Sequence, residues 1–292
     1  MLLKRKSAPA TFWRAFFFGT ALALAARGAV PVGSAPDLAQ VGKPGPEEAA
    51  RILAQFRRAG VIGEFFFEFE LRALPRRGEE RSFKGRLWGG RTARGNVFRV
   101  ELADAAGVVQ RLLIQNGEQA SAWRLVDGQA TELDMTALFA PLVPGVEVSA
   151  FDLQMPFLYW PDATLEKIAR VFGRPAYAYL FQVPAELAAR QTAIVAARAF
   201  LDTQFNALMQ TELLGPTRRV VKTFALISLK KVADQYIPKQ ADYKNEITRD
   251  KTRFQVTAAV LNLRLPRTVF EPEALAQSLE SPAAELWVRI DP

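Results

Sequence analysis

Residues 64–73 read Glu-Phe-Phe-Phe-Glu-Phe-Glu-Leu-Arg-Ala, and no other run constrains the fold as much. Phe65, Phe67, Phe69 and Leu71 share one parity. Glu64, Glu68, Glu70 and Arg72 share the other, with Phe66 the exception. Successive side chains of a strand point to opposite faces, so this run is a strand with one apolar and one wet face. Antiparallel sheets solvated on one side are built from such strands. The apolar face then needs a cover: a helix, a second sheet or a ligand.

The rest of the chain repeats the theme. A helix is expected over 46–60. Pro46 suits its first turn, Glu47 and Glu48 complement the positive end of the dipole, and Arg57 and Arg58 the negative end. Ala49, Ile52, Leu53 and Phe56 recur at helical spacing, and Gly60 marks the stop. Strand-like runs follow at 62–74, 82–88, 96–102, 108–115, 122–126 and 130–133. Gly89-Gly90 is read as the end of the second. Asn116-Gly117 and Asp127-Gly128 are tight-turn dipeptides.

Residues 135–162 differ: short helices are expected near Met135 and, behind Ser149 and Asp152, towards Met155. Leu165, Ile168, Ala169 and Phe172 fit helical spacing, although a strand also fits. Strands then run at 176–183, 197–203, 207–213, 218–232, 236–246 and 253–263. A final short helix is expected at 274–279.

The N-terminus reads as an export signal. Lys4, Arg5, Lys6 and Arg14 form a basic region before the apolar run 15–26, and Ala23-Leu24-Ala25 supplies small residues for cleavage. A membrane anchor is the competing reading, but a spanning helix needs roughly 20 apolar residues. The expected organisation is a signal peptide at 1–25, a Pro- and Gly-rich linker at 26–45 and a single domain at 46–285, in the periplasm. Losing residues 1–25 removes four basic groups and no acid, so the charge falls from +8 to +4. That is too mild to argue for nucleic acid, and the remaining cations interleave with acids.

Composition excludes several chemistries. Without cysteine there is no disulfide, thiolate nucleophile or acylated lipobox. The absence of histidine removes the usual general acid–base group and a common metal ligand. No phosphate-binding glycine motif is present. Glu68 and Glu70, about 6–7 Å apart on one strand face, are a possible carboxylate pair. Cross-strand pairing with Lys84 and Arg86 accounts for them more simply. No metal, cofactor or catalytic residue is expected. The aromatic residues Phe65, Phe67, Phe69, Phe98, Trp123, Phe157, Tyr159 and Trp160 are either core or the lining of a cavity for an acyl chain. A long half-wet sheet with few helices covers its apolar face by curling, which encloses space.

Several motifs then fall in a telling order. A Gly-x-Phe step, Gly63-Glu64-Phe65, opens the first strand after the helix. Gly173-Arg174-Pro175-Ala176-Tyr177 enters a later one, and Arg198-Ala199-Phe200-Leu201-Asp202 closes another. Gln235-Tyr236-Ile237-Pro238 and Val269-Phe270 with Leu275 complete the series. Over roughly 46–280 the chain resembles the LolA/LolB-type outer-membrane lipoprotein-sorting proteins. It differs in having Phe200 where that family usually has Trp.

The resemblance implies an α+β fold: an unclosed antiparallel β-barrel with a capped N-terminal helix and short helices covering the concave face. It implies a ligand cavity at Phe65, Phe67, Phe69, Phe98 and Trp123, beneath a lid over 148–160 that includes Phe151, Leu153, Met155, Phe157 and Trp160. The implied role is a carrier for acyl chains or acylated proteins, working with a membrane-bound transporter or acceptor. Relatives of this shape also act as envelope-stress regulators that contact an anti-sigma factor.

Overall fold

The computed structural model describes residues 42–103, 107, 109–191 and 193–290. The expected signal peptide, and the linker up to residue 41, lie outside the described residues. Helix α1, Pro46–Arg58, forms where the proline and charge pattern places it, with Glu47 and Glu48 in its first turn and Arg57 and Arg58 in its last. Gly45 at its N-cap offers no side-chain bond, and the chain turns extended at Ala59, before Gly60. Its buried stripe is Ala49 and Leu53, with Ile52 and Phe56 partly buried beside them.

The strands follow in chain order: β1 Glu64–Leu74, β2 Arg81–Thr92, β3 Gly95–Ala103, β4 Val109–Gln115, β5 Ser121–Val126 and β6 Gln129–Glu132. After helices α2, Met135–Phe139, and α3, Ala150–Gln154, come β7 Ala163–Val171 and β8 Arg174–Gln182. A short α4, Ala185–Ala188, precedes β9 Ala196–Asp202, β10 Leu208–Leu214, β11 Val220–Val232, β12 Gln235–Asn245 and β13 Lys251–Leu263. β14 is Val288–Arg289.

All pair antiparallel in one sheet, ordered β6-β5-β4-β3-β2-β1-β13-β12-β11-β10-β9-β8-β7. β6 and β7 end this path without pairing to each other, so the barrel is unclosed. β14 adds to β13 at Ala258 and Ala259, beyond the stretch where β13 pairs β12, so the sheet continues past residue 285. Asp127 and Gly128, both with positive φ, make the two-residue turn between β5 and β6, as the dipeptide requires. No helix among the described residues is long and apolar enough to cross a membrane.

The odd residues of β1 are buried as the alternation demands, from Phe65 to Ala73. The even face is not simply solvated. Phe66, fully buried, packs against Trp88 and Trp287, and the C-terminal segment after β13 lies over this convex side. The register does set Glu68 opposite Arg86 and Glu70 opposite Lys84. Glu68 nevertheless accepts from Thr257 Oγ1 and Arg289, each at 3.2 Å, while Arg86 reaches Glu101 at 2.7 Å. Thr257 of β13, Glu101 of β3 and Arg289 of the arriving segment are partners that the β1–β2 hairpin alone would not supply.

Two local expectations need correction, at Gly89-Gly90 and at the final helix, and the open choice at 165–172 is decided for the strand. Gly89-Gly90 lies inside β2, and the turn falls later, at Ala93-Arg94. Residues 165–172 belong to β7 and its turn: a bulge between Leu165 and Lys167 buries both Leu165 and Ile168, which imitates helical spacing. The final α-helix is instead a pair of 3₁₀ turns, Arg267–Phe270 and Pro272–Ala276, each opening after or at a proline.

Candidate functional site

The concave side of the sheet encloses a cavity of about 490 Å³. Its wall begins with the pairing of β1 and β2. Phe65 lies opposite Gly89 and Phe69 opposite Gly85, with Phe67 opposite Leu87 between them. The absent side chains of the two glycines make room for the two rings: a Cβ on either would fall 2.1 Å from the ring tip. Phe65 contacts Phe67 at 4.6 Å and Phe98 of β3 at 6.5 Å between ring centroids. Leu226 and Leu229 of β11 and Phe254 of β13 complete the apolar wall.

Phe65, Phe67 and Phe98 therefore sit together on the wall. Phe69 stacks 4.8 Å from Phe254 in the adjoining core with Leu71 and does not reach the cavity. Trp123 stands on the opposite, convex face with Val97, Leu113 and Leu275. The alternation along β5 and its neighbours decides this, because Trp123 lies opposite Leu113 while Ala122 lies opposite Ile114.

The segment over the cavity is α3, whose Ser149–Asp152 capping box is complete, followed by a 3₁₀ turn at Pro156–Tyr159. Met155 joins them in the left-handed region, with φ 46°. Leu153, Leu158 and Tyr159 face the cavity. Phe151, Phe157 and Trp160 instead pack into a second core with Leu53, Tyr179 and Phe181.

Two clamps hold this segment, and the sequence reading missed both. Lys222 of β11 reaches Asp152 Oδ2 at 2.5 Å. Arg57 donates to the carbonyls of Leu158 at 2.7 Å and Trp160 at 3.2 Å, while the Tyr159 hydroxyl donates back to the Arg57 carbonyl at 3.2 Å. Burial lowers the Arg57 guanidinium from its ordinary value, against the pull of Tyr159 and Glu118. It also pushes the Tyr159 and Tyr243 phenols up, the latter helped by Asp152. A partial signal for Lys222 was present: it shares its parity with its neighbours Phe224 and Leu226, and a cation beside apolar residues on one face calls for a partner there. No such signal marks Arg57, which reads as an ordinary helix-end charge.

The motifs of the resemblance also meet in space. Arg174, opening β8, donates to Asp202 at the end of β9 at 2.6 Å. Asp202 accepts from the backbone N–H of Gln204 and Phe205, and the Arg174 guanidinium stands 5.2 Å from the Phe205 ring. Phe205 and Tyr236, both well exposed, lie at the rim of the cavity. Phe270 abuts Gly90, and Leu275 is buried beneath β3 and β4, so the closing Phe and Leu fasten the C-terminal segment to the convex face.

Glu68 and Glu70 lie on that convex side, away from the cavity. No cluster of acidic side chains able to hold a metal occurs among the described residues. The polar groups at the cavity are mainly structural, clamping carbonyls and capping turns.

No family model matches the sequence, and no curated protein matches it significantly. Solved structures do match. A putative outer-membrane lipoprotein-sorting protein domain from Vibrio parahaemolyticus superposes with a TM-score of 0.67 at 13% identity, covering 79% of this chain and 97% of that one. A DUF1329 family protein from Desulfovibrio piger gives 0.66 at 12% identity, covering 78% and 98%. A LolA superfamily protein from Nitrosomonas europaea gives 0.60 at 13% identity, covering 78% and 99%. Such likeness at such low identity is one of architecture: the chain has the LolA-like fold, an unclosed antiparallel barrel with short helices across its concave side.

Proposed function

We propose that the protein is an exported, non-enzymatic carrier that holds an acyl chain, or the acyl chain of an acylated protein, in the concave cavity and passes it to a membrane-bound acceptor. One observation carries this reading: the buried aromatic face of β1 borders, at Phe65 and Phe67, an apolar space of about 490 Å³ that opens at an exposed rim. Each methylene buried there contributes about 0.8 kcal/mol, so a chain needs no charged contact to bind usefully. The leader read at residues 1–25 supports a periplasmic site of action.

Entry with the covering segment in place is cheaper than its removal. Displacing that segment would bring Phe151, Phe157 and Leu158 out of the core at about 1.5–3 kcal/mol each. The rim at Ala59, Gly60, Phe205 and Tyr236 is already exposed. In this reading the 148–160 segment is a roof that adjusts around cargo, and the chain enters past the rim.

The test is native mass spectrometry and calorimetry on processed protein from the exported fraction, with fatty acids of increasing length. Saturable binding that tightens with each added methylene is expected. The same spectra give the N-terminal residue, and an intact Met1 would contradict export with cleavage. No binding at any length would overturn the carrier reading. It would leave a packed binding module that contacts an anti-sigma factor or another membrane partner through its surface.

A further inference from the structure

Beside the apolar cavity lies a second cleft of about 550 Å³, and its walls are basic. Arg57 and Arg58 come from the last turn of α1, Arg91 from the end of β2 and Arg94 from the β2–β3 turn. The single carboxylate among the lining residues is Glu118. The two spaces are neighbours, for Arg57 and Tyr159 line both.

The arginines differ in what they do. The Arg57 guanidinium is occupied by the roof carbonyls. Arg91 donates to the carbonyls of Arg58 at 2.8 Å and Arg57 at 3.4 Å, tying the hairpin to the negative end of α1. The side chains of Arg58 and Arg94 have no hydrogen-bond or ion-pair partner among the described residues, and both are exposed. Four like charges around one cleft repel one another, and a single carboxylate does not offset them. A bound oxyanion would, because the planar guanidinium fork fits phosphate and carboxylate oxygens.

We infer that this cleft takes the anionic head of the same molecule whose acyl chain fills the cavity, so that the cargo class is an anionic amphiphile. The inference rests on the carrier reading and narrows it. A neutral cargo would use the apolar cavity alone and bind with little dependence on salt. An anionic cargo gains at the arginines, and that gain fades as salt screens it.

Three probes separate the possibilities: dodecyl phosphate, dodecyl maltoside with the same chain and no charge, and inorganic phosphate. Calorimetry at low salt should show dodecyl phosphate binding at least roughly tenfold tighter than dodecyl maltoside. That margin should shrink with added salt, and inorganic phosphate should bind far more weakly than either. In protein carrying Arg58→Gln and Arg94→Gln together, with its melting temperature retained, the two affinities should converge. Glu118→Gln should widen the margin.

Equal affinities in the parent protein would overturn the inference and leave the carrier reading intact. Failure of both amphiphiles to bind would overturn the two together. Inorganic phosphate matching dodecyl phosphate would show a site for free anions, unconnected with the chain. A margin that survives the double substitution would remove the assignment to this cleft.

Discussion

Phe65 lies directly across from Gly89, and a Cβ on that glycine would stand 2.1 Å from the tip of its ring. Phe69 bears the same relation to Gly85. The two pairs differ in what surrounds the ring, since Phe65 borders the cavity and Phe69 is locked against Phe254. Gly85→Ala should cost about 1–3 kcal/mol by overpacking. Gly89→Ala should cost less, because Phe65 swings into open space, and should weaken acyl-chain binding more. Denaturant titrations and binding isotherms on both variants check this, and equal effects of the two on stability and binding would refute it.

Phe67→Ala separates packing from lining. A phenylalanine enclosed on all sides costs about 3–5 kcal/mol when truncated to alanine. Phe67 meets the cavity on one side, so a loss below about 3 kcal/mol is expected. Chain binding should fall in the same variant, as measured by calorimetry.

Glu101 is the centre of a buried charge cluster on the convex face. Arg86, Arg99 and Arg111 reach it at 2.7, 3.5 and 3.3 Å. Arg99 and Arg111 also hold the carbonyls of Ala274 and Ala276, at 3.0 and 2.7 Å. Glu101→Gln leaves buried guanidinium charge uncompensated and should cost about 3–5 kcal/mol. The C-terminal segment should loosen first, so limited proteolysis should cut between residues 274 and 290 before any other site.

Lys222→Met removes one clamp on the roof. Asp152 keeps its bonds from the Ser149 backbone and hydroxyl, so the capping box persists. A loss of about 1–3 kcal/mol is expected for the partner left behind. Amide exchange should accelerate at residues 150–159 and stay unchanged in β8 and β9. Uniform acceleration would contradict a local role.

The Asp202 carboxyl titrates lower than an ordinary aspartate. Burial alone would raise it, but the bond from Arg174 and the N–H groups of Phe205 and Gln204 outweigh that. A carboxyl depressed in the folded state stabilises above its unfolded value and loses that contribution as pH falls through the folded one. Asp202→Asn should therefore melt lower than the parent at neutral pH, with the gap closing below about pH 4. A gap that is constant down to strong acid would show that the charge is irrelevant.

The alternation in β1 made the concave face legible, because burial on that face is a local property of period two. Phe66 was the warning that the other face is covered as well. What covers it lies some two hundred residues on, in a segment of 3₁₀ turns with no periodicity of its own. Arg99 and Glu101 share the parity of Val97, yet their burial is decided by carbonyls at 274–277 that no local pattern reveals. The same limit applies at the roof. Pro156 announced a broken helix, but the choice of Leu153 and Leu158 for the cavity, with Phe151 and Phe157 in the core, depends on where the left-handed turn at Met155 sends the chain.

The seam of β1 with β13 joins the beginning of the sheet to its end, as the bond between Glu68 and Thr257, 189 residues apart, illustrates. The successive hairpins on either side can form as they emerge, but this central pairing must wait for nearly the whole chain. Closing so long a loop before any contact rewards it makes assembly slow. In the export reading proposed above, that delay is an advantage: the sheet stays incomplete, and the chain threadable, until its last strands have been made.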